Sequence, residues 1–328
     1  MRAGGPLLRG VSDWRGGLVL PARASIIGPD SQNLSVPGVQ PGCVGPDTIH
    51  PPPAFPGPVM HCDVVLDFGS LVPRLQRLAA RRGWLLAAEA RVDSTNQRVR
   101  ALLESDDGAS RPVVAIAAEQ TAGVGRRGAR WLSTPGDGLW FSLAVPAETR
   151  LSAAPPGLAL AGCLAGVLVR HEVPATVKWP NDLYLGEGKL GGLMIERGRF
   201  GGELYWLAGV GINWRQPPGA IEAAYPPAAL ADLGDRWGGD SIALASALVE
   251  AAVGLMRRPV DWPAELARLS RAHHAFGQTV VVERADGGRE IGTAGAIGSN
   301  GNLAVTRADG SVIRAGAHDR VRLLAGRA

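Results

Sequence analysis

The chain holds two lysines, Lys178 and Lys189, in the stretch KWPNDLYLGEGKLGGLMIE, while the other 32 of its 34 basic residues are arginine. Arginine is a planar fork, whereas lysine is a compact ammonium on a flexible stem. In a chain that uses arginine almost everywhere, two lysines so close together mark positions where a guanidinium would not fit. Pro180 breaks the strand that carries Lys178, so Asn181 and Asp182 fall at a strand end, where site residues collect. Asp182 also reads as a plain turn aspartate. Gly186-Glu187-Gly188 then reverses the chain, and the hairpin is expected to set Lys178 and Lys189 on adjacent strands facing one pocket.

A second group of polar residues lies upstream. Ser94 and Thr95 open a helix, and Ser94 with Gln97 has capping-box spacing. Hydroxyls and free N–H groups at such a start cap the helix or bind a polar ligand. Downstream, Gln120 leads into Gly123-Val124-Gly125-Arg126-Arg127-Gly128. A dinucleotide fold needs a helix directly after such glycines. Here a turn at Pro135-Gly136-Asp137-Gly138 and another strand follow, and no HRD or DFG supports a kinase loop. What remains is a strand–loop–strand whose glycines admit a ligand and whose arginines could grip phosphate or carboxylate. The bland alternative is a solvated basic hairpin.

The elements that must hold these groups follow from pattern. Residues 1–60 contain 11 prolines and 10 glycines with no helical or strand period, which predicts a disordered extension, either a transit peptide or the product of a start placed too early, with Met60 as the true start. Helices are expected over Ser70–Arg82, after Ser94, over Leu158–Arg170, over Ser241–Met256 under an Asp240 cap, and from Asp261. Strands are expected over Trp84–Ala90, Pro112–Ala118, Leu139–Val145, Thr176–Trp179, Lys189–Glu196 and Trp206–Asn213. From Phe276 the texture changes to five short strands separated by Asp286-Gly287, Asn300-Gly301 and Asp309-Gly310, a small barrel of SH3 type with type I′ turns. The fold class is therefore α+β, a mixed sheet with packed helices followed by a small barrel, divided at 1–60, 61–275 and 276–328. Cys43, Cys62 and Cys163 are far apart and form no CxxC, and the six histidines form no HExxH, so neither a disulfide framework nor a zinc site is indicated. A cytoplasmic protein fits best. The net charge of +4 shows no nucleic-acid stripe, and the longest apolar run, Gly157 to Val169, is too short to span a bilayer.

DSTNQ, EQTAGxGRRGxxW, KWPNDL, KLGGLMIE and GVGIN together resemble the biotin–protein ligases in order and spacing, over roughly residues 84–324. The resemblance implies a biotin/lipoate ligase fold that joins biotin and MgATP into biotinyl-5′-adenylate. It then implies transfer of biotin to one lysine of the biotin carboxyl carrier protein of acetyl-CoA carboxylase. It also implies the form without an N-terminal DNA-binding repressor domain, hence no DNA partner, no membrane partner and no repression. Lys189 becomes the cation between biotin's carboxylate and the α-phosphate, and Arg126 and Arg127 lie in the loop that closes over biotin and the adenylate. Lys178 supports the nucleotide. Ser94, Thr95 and Gln120 hold the ureido ring, Gly123, Gly125, Gly191 and Gly192 admit the ligand, and Trp131 walls its tail. Asn181, Asp182 and Asn213 line the nucleotide or Mg²⁺ side, with Asp182 a candidate metal ligand and a candidate to orient the acceptor lysine.

Two departures from the resemblance stand out. Val124 replaces the first arginine of the loop, which predicts faster leakage of biotinyl-adenylate than from a Val124→Arg variant. The resemblance also implies an aromatic stacked on adenine ahead of the helix at Ser241, but the segment Pro226-Pro227-Ala228-Ala229-Leu230 has none, leaving Trp237 or Trp214 as substitutes. The competing readings are a lipoate or octanoate ligase or transferase of the same fold, and a noncatalytic biotin- or carrier-binding module. Oligomeric state is open, with homodimer pairing through an exposed sheet edge as the candidate.

Overall fold

The computed structural model describes residues 64–105, 111–125, 128–147, 155–217, 226–258 and 260–324. The Pro/Gly-rich extension expected over 1–60, and the loop arginines Arg126 and Arg127, lie outside the described residues.

Seven strands build the larger sheet: β1 (Leu85–Val92), β2 (Val113–Gln120), β3 (Gly138–Pro146), β4 (Ala175–Lys178), β5 (Asp182–Leu185), β6 (Gly188–Phe200) and β7 (Glu203–Asn213). Their order across the sheet is β1-β2-β3-β7-β6-β5-β4. Only β1 and β2 run parallel; every other neighbour is antiparallel. Five helices pack on it: α1 (Phe68–Arg82), α2 (Thr95–Glu104), α3 (Pro156–Arg170), α4 (Ser241–Met256) and α5 (Trp262–Leu269).

The run Val113-Val114-Ala115-Ile116 explains why helices lie on both faces. Successive side chains of a strand point to opposite sides. Val114 and Ile116 enter the main core with α1, α3 and α4 residues, whereas Val113 and Ala115 pack with Val99 and Leu103 of α2. The apolar run expected as a buried helix is α3, with Leu158, Leu160, Leu164 and Leu168 in the core. Asp240 caps α4, accepting from the backbone of Ile242 and Ala243 at 2.8 and 2.9 Å. α2 is too short to cover its whole face of the sheet, and the uncovered part holds the cavity described below.

A second sheet, β8 (Thr279–Glu283), β9 (Arg289–Ile297), β10 (Leu303–Thr306), β11 (Val312–Ala315) and β12 (Arg320–Leu323), is antiparallel in the order β11-β10-β9-β8-β12. It completes the α+β architecture with an SH3-like sheet. The turns differ from expectation. Type I′ needs positive φ at both central residues, yet only Gly287, Gly301 and Gly310 are left-handed and their Asp or Asn neighbours are not. In each turn the left-handed glycine donates back three residues, to Arg284, Gly298 or Arg307. The preceding Asp286, Asn300 or Asp309 accepts from the backbone two residues on. That is a three-residue loop with a glycine bulge, built three times.

The two sheets meet around the first of the two lysine strands. Trp179 Nε1 donates to Gly301 O at 2.8 Å, and Trp262 Nε1 to Ser299 O at 2.6 Å. Lys178 Nζ donates to Val321 O at 3.2 Å, so β12 helps hold the lysine.

Candidate functional site

One register row crosses the larger sheet: Lys178 on β4 pairs with Asp182 on β5, Asp182 with Gly192 on β6, Gly192 with Gly211 on β7, and Gly211 with Trp140 on β3. Directly opposed residues share a face. This row is the floor of a cavity of about 630 Å³. Lys178, Asp182, Gly192 and Gly211 line it, as do Ser94, Thr95, Gln120, Gly125, Trp131, Asn181, Lys189 and Asn213. Gly123 and Gly191 do not.

The lysines reach this face by a route that their spacing does not show. They are not on adjacent strands, because the chain turns back through the cis Trp179–Pro180 peptide and β5 runs between β4 and β6. A register shift between Leu183 and Tyr184 then sets Gly191 opposite Leu183 but Lys189 opposite Tyr184, making Leu190 the extra residue of a bulge. A bulge re-aims the side chains after it. Lys189 therefore shares the cavity face with Asp182, while Gly191 faces the opposite side, where an added Cβ would meet Gly211 O at 2.7 Å.

Lys189 Nζ lies 2.9 Å from Asp182 Oδ1 and 5.7 Å from the Trp131 ring centre. Lys178 is only 4% exposed. Its ammonium sits 5.5 Å over the Tyr184 ring, and that ring stacks at 4.6 Å on His274. Burial holds the His274 ring below its ordinary pKa, opposed by Glu187 and aided by Lys178 and His273. Asn181 and Asn213 turn out to be braces. Asn181 Nδ2 donates to Leu193 O, and Asn213 Nδ2 to Ala228 O at 3.0 Å and Lys189 O at 3.4 Å.

The other end of the cavity is polar. Ser94 stands at the N-cap of α2 but makes no side-chain cap, so the expected capping box is absent. The first helical N–H, from Thr95, is satisfied instead by Gln120 Oε1 at 2.8 Å. Ser133 fixes the Gln120 backbone, accepting from its N–H at 2.6 Å and donating to its carbonyl at 2.9 Å. Thr95, Asn96 and Ser142 form a hydrogen-bonded chain beside Gln120.

Strand β7 spaces these parts. An added Cβ at Gly209 would meet Asn96 Oδ1 at 2.7 Å, and one at Gly211 would meet the Trp131 ring at 2.6 Å. Asn213, the next residue on that face, braces the Lys189 backbone. At about 3.4 Å per residue the slot runs roughly 14 Å from polar end to lysine end. The motif GVGIN thus carries its information in alternation, small residues where Asn96 and Trp131 must approach. That signal was available in the sequence, whereas Ser142, Asp319 and Arg320, which also line the cavity, carried none. Asp319 is aimed by Arg284 Nη1 at 2.9 Å and Gly316 N–H at 2.8 Å. Trp214 and Trp237 are core residues and do not line the cavity.

Val124, 52% exposed, faces Arg130 across an isolated antiparallel bridge inside the glycine-rich loop, and both line the cavity. Among the described residues no cluster of three His, Cys, Asp or Glu could by itself hold a metal. A Mg²⁺ ion carried on a triphosphate needs only one or two protein carboxylates. Asp182 is a carboxylate that lines the cavity.

The model of the biotin/lipoate A/B protein ligase family matches residues 88–213, the segment that contains nearly the whole slot. The biotin--[acetyl-CoA-carboxylase] ligase of Mycobacterium tuberculosis is 32% identical over 246 residues, which cover 70% of this chain and 86% of that protein. The chain belongs to the biotin/lipoate protein ligase family. Another relative in it, the bifunctional ligase/repressor BirA of Escherichia coli, is 38% identical over 130 residues, 37% of this chain and 38% of its own length. The match to the ligase of Paracoccus denitrificans likewise spans 59% of that relative. Among solved structures, the biotin protein ligase from Aquifex aeolicus in complex with biotin and ATP shares the fold of this family member. The TM-score is 0.58 at 23% identity, covering 73% of this chain and 99% of that one.

Proposed function

We propose that this chain activates biotin with ATP to biotinyl-5′-adenylate and transfers biotin to one lysine of the biotin carboxyl carrier protein of acetyl-CoA carboxylase, in the cytoplasm. The observation that carries the reading is the slot itself, with hydrogen-bonding groups at one end and two lysines at the other. Attack of a carboxylate on the α-phosphorus gathers negative charge, and positioned cations stabilise it. Lys189 lies where it can hold biotin's carboxylate against that phosphorus. Lys178, Arg126 and Arg127 serve the phosphates. Ser94, Thr95 and Gln120 hold the ureido ring, Gly125 and Gly192 admit it, and Trp131 walls the tail. Asn181 and Asn213 act by bracing the lysine strand. A Mg²⁺ ion, when bound, would neutralise phosphate charge beside Asp182.

The family also contains lipoate ligases. An apolar acyl tail would leave the groups around Thr95 and Gln120 unpaired, which is costly in a buried site, so the polar end favours biotin. A homodimer, if formed through a sheet edge, falls to β1, since His273 bridges the outer side of β4 at Val177.

Purified protein with ATP, Mg²⁺ and labelled biotin is expected to form biotinyl-adenylate and to label an apo carrier domain. Transfer of octanoate or lipoate without any reaction of biotin would replace the reading. In the second step Asp182 orients the acceptor lysine, and Asp182→Asn is expected to slow transfer by about tenfold or more. Unchanged adenylation and transfer would remove that role.

A further inference from the structure

We infer that Asn96 and Ser142 fix the direction of the hydrogen bonds at the polar end of the slot, and that through Thr95 they make it select a ring N–H over a ring oxygen. The inference rests on the biotin reading above.

The hydroxyl protons fix the directions. A serine or threonine hydroxyl carries one proton and two lone pairs. The Ser142 hydroxyl, fully buried, donates to Asn96 Oδ1 at 2.5 Å. Its proton is used, so across the 2.7 Å contact between Ser142 Oγ and Thr95 Oγ1 the donor is Thr95. The other neighbour of the Thr95 hydroxyl, Gln120 Oε1 at 3.0 Å, is also an acceptor. Whichever acceptor it serves, Thr95 spends its proton inside the protein and turns a lone pair to the cavity.

Gln120 is set in the same way. Its carbonyl oxygen already receives the Thr95 backbone N–H at 2.8 Å, so its amide N–H groups are what it offers a ligand. Among the described residues no acceptor engages that nitrogen, and it borders Gly123, where an added Cβ would lie 3.2 Å away. The wall therefore presents an acceptor at Thr95 beside a donor at Gln120. A cyclic urea edge, with N–H next to C=O, is complementary. An analogue with oxygen in place of that N–H sets lone pair against lone pair, and a buried site rejects such a mismatch. Asn96 lies over Gly209, where an added Cβ would meet its Oδ1 at 2.7 Å, so only glycine at that position of β7 leaves room for it.

Asn96 and Ser142 are positioning residues, and discrimination is the readout that tests them. Calorimetric titration would compare biotin with the two cyclic carbamates in which one or the other ring N–H is oxygen. The wild type is expected to bind biotin about tenfold or more tighter than at least one carbamate. Asn96→Ala frees the Ser142 proton for Thr95, and the Thr95 proton can then turn to the ligand, so the ratio should narrow by about threefold or more. Ser142→Ala removes the nearer acceptor and leaves only the longer 3.0 Å contact to Gln120 Oε1 to hold the Thr95 proton, so the ratio should narrow in the same direction but by less, which keeps the test available if one variant does not fold. Asn96→Asp retains an acceptor facing Ser142 and should retain the ratio. Equal weakening of biotin and carbamate in both alanine variants would overturn the inference while leaving the biotin reading intact. Failure of the wild type to bind biotin would overturn both.

Discussion

At Gly211 a single methyl group decides whether the slot is open. The added Cβ would stand 2.6 Å from the Trp131 indole, so either the ring or β7 must move. Overpacking of this kind costs about 1–3 kcal/mol, and displacing the wall beside Lys189 misplaces the reacting groups. Gly211→Ala is expected to raise the KM for biotin by about tenfold or more, with little loss of secondary structure by circular dichroism. An unchanged KM would mean that Trp131 does not wall the ligand. At this scale the sequence was informative about residue type and less so about direction. Thr95, Gln120, Trp131, Lys178, Asp182 and Lys189 do line one cavity. Gly191 does not, because the bulge at Leu190 reverses the alternation, and a bulge leaves no mark in composition. Ser142 was invisible because a serine within an apolar strand looks like any tolerated polar residue until its partners are known.

The glycine-rich loop behaves as a small hairpin. Gly125 N–H donates to Ala129 O at 2.7 Å and Trp131 N–H to Gly123 O at 2.8 Å, which brings Val124 and Arg130 opposite one another. The cation missing at 124 thus has a guanidinium directly across from it. Val124→Arg would add a second on the same face. Like charges so placed oppose each other by about 0.2–1 kcal/mol when the slot is empty, whereas a charge-assisted bond to phosphate returns about 1.5–3 kcal/mol when it is filled. Release of biotinyl-adenylate, followed in a pulse-chase, should therefore be several-fold slower from Val124→Arg than from wild type. Equal rates would show that position 124 does not meet the phosphate. Helices and long strands were legible because periodicity spans many residues: α4 was expected over its observed range, and β1 only started and stopped late. The turns of the second sheet were legible in place but not in type. Asp-Gly and Asn-Gly serve two-residue and three-residue loops alike, and the flanking register decides between them.

Over the whole molecule, the two sheets are tied through Lys178, Trp179, Trp262 and His273, and the last of these forms a buried histidine pair with His274. Burial holds both His273 and His274 below the ordinary histidine value. The unfolded chain then binds protons that the folded chain refuses. Their contribution to stability is complete above about pH 6.5 and is lost as pH falls below it. The exposed carboxyls of Asp67 and Asp309, held low by hydrogen bonds from Ser70 and Ser311, act only in the more acid range below about pH 4. Thermal midpoints should fall between pH 7 and pH 5, with a shallower slope in His274→Gln. A flat profile would contradict the burial of the pair. In the proposed reaction the slot brings a carboxylate and a nucleotide together on Lys189. The most direct test sets wild type beside Lys189→Ala with ATP, Mg²⁺, labelled biotin and an apo carrier domain. Labelled carrier from wild type and none from the variant is the predicted result. Equal labelling by the two proteins would contradict the account.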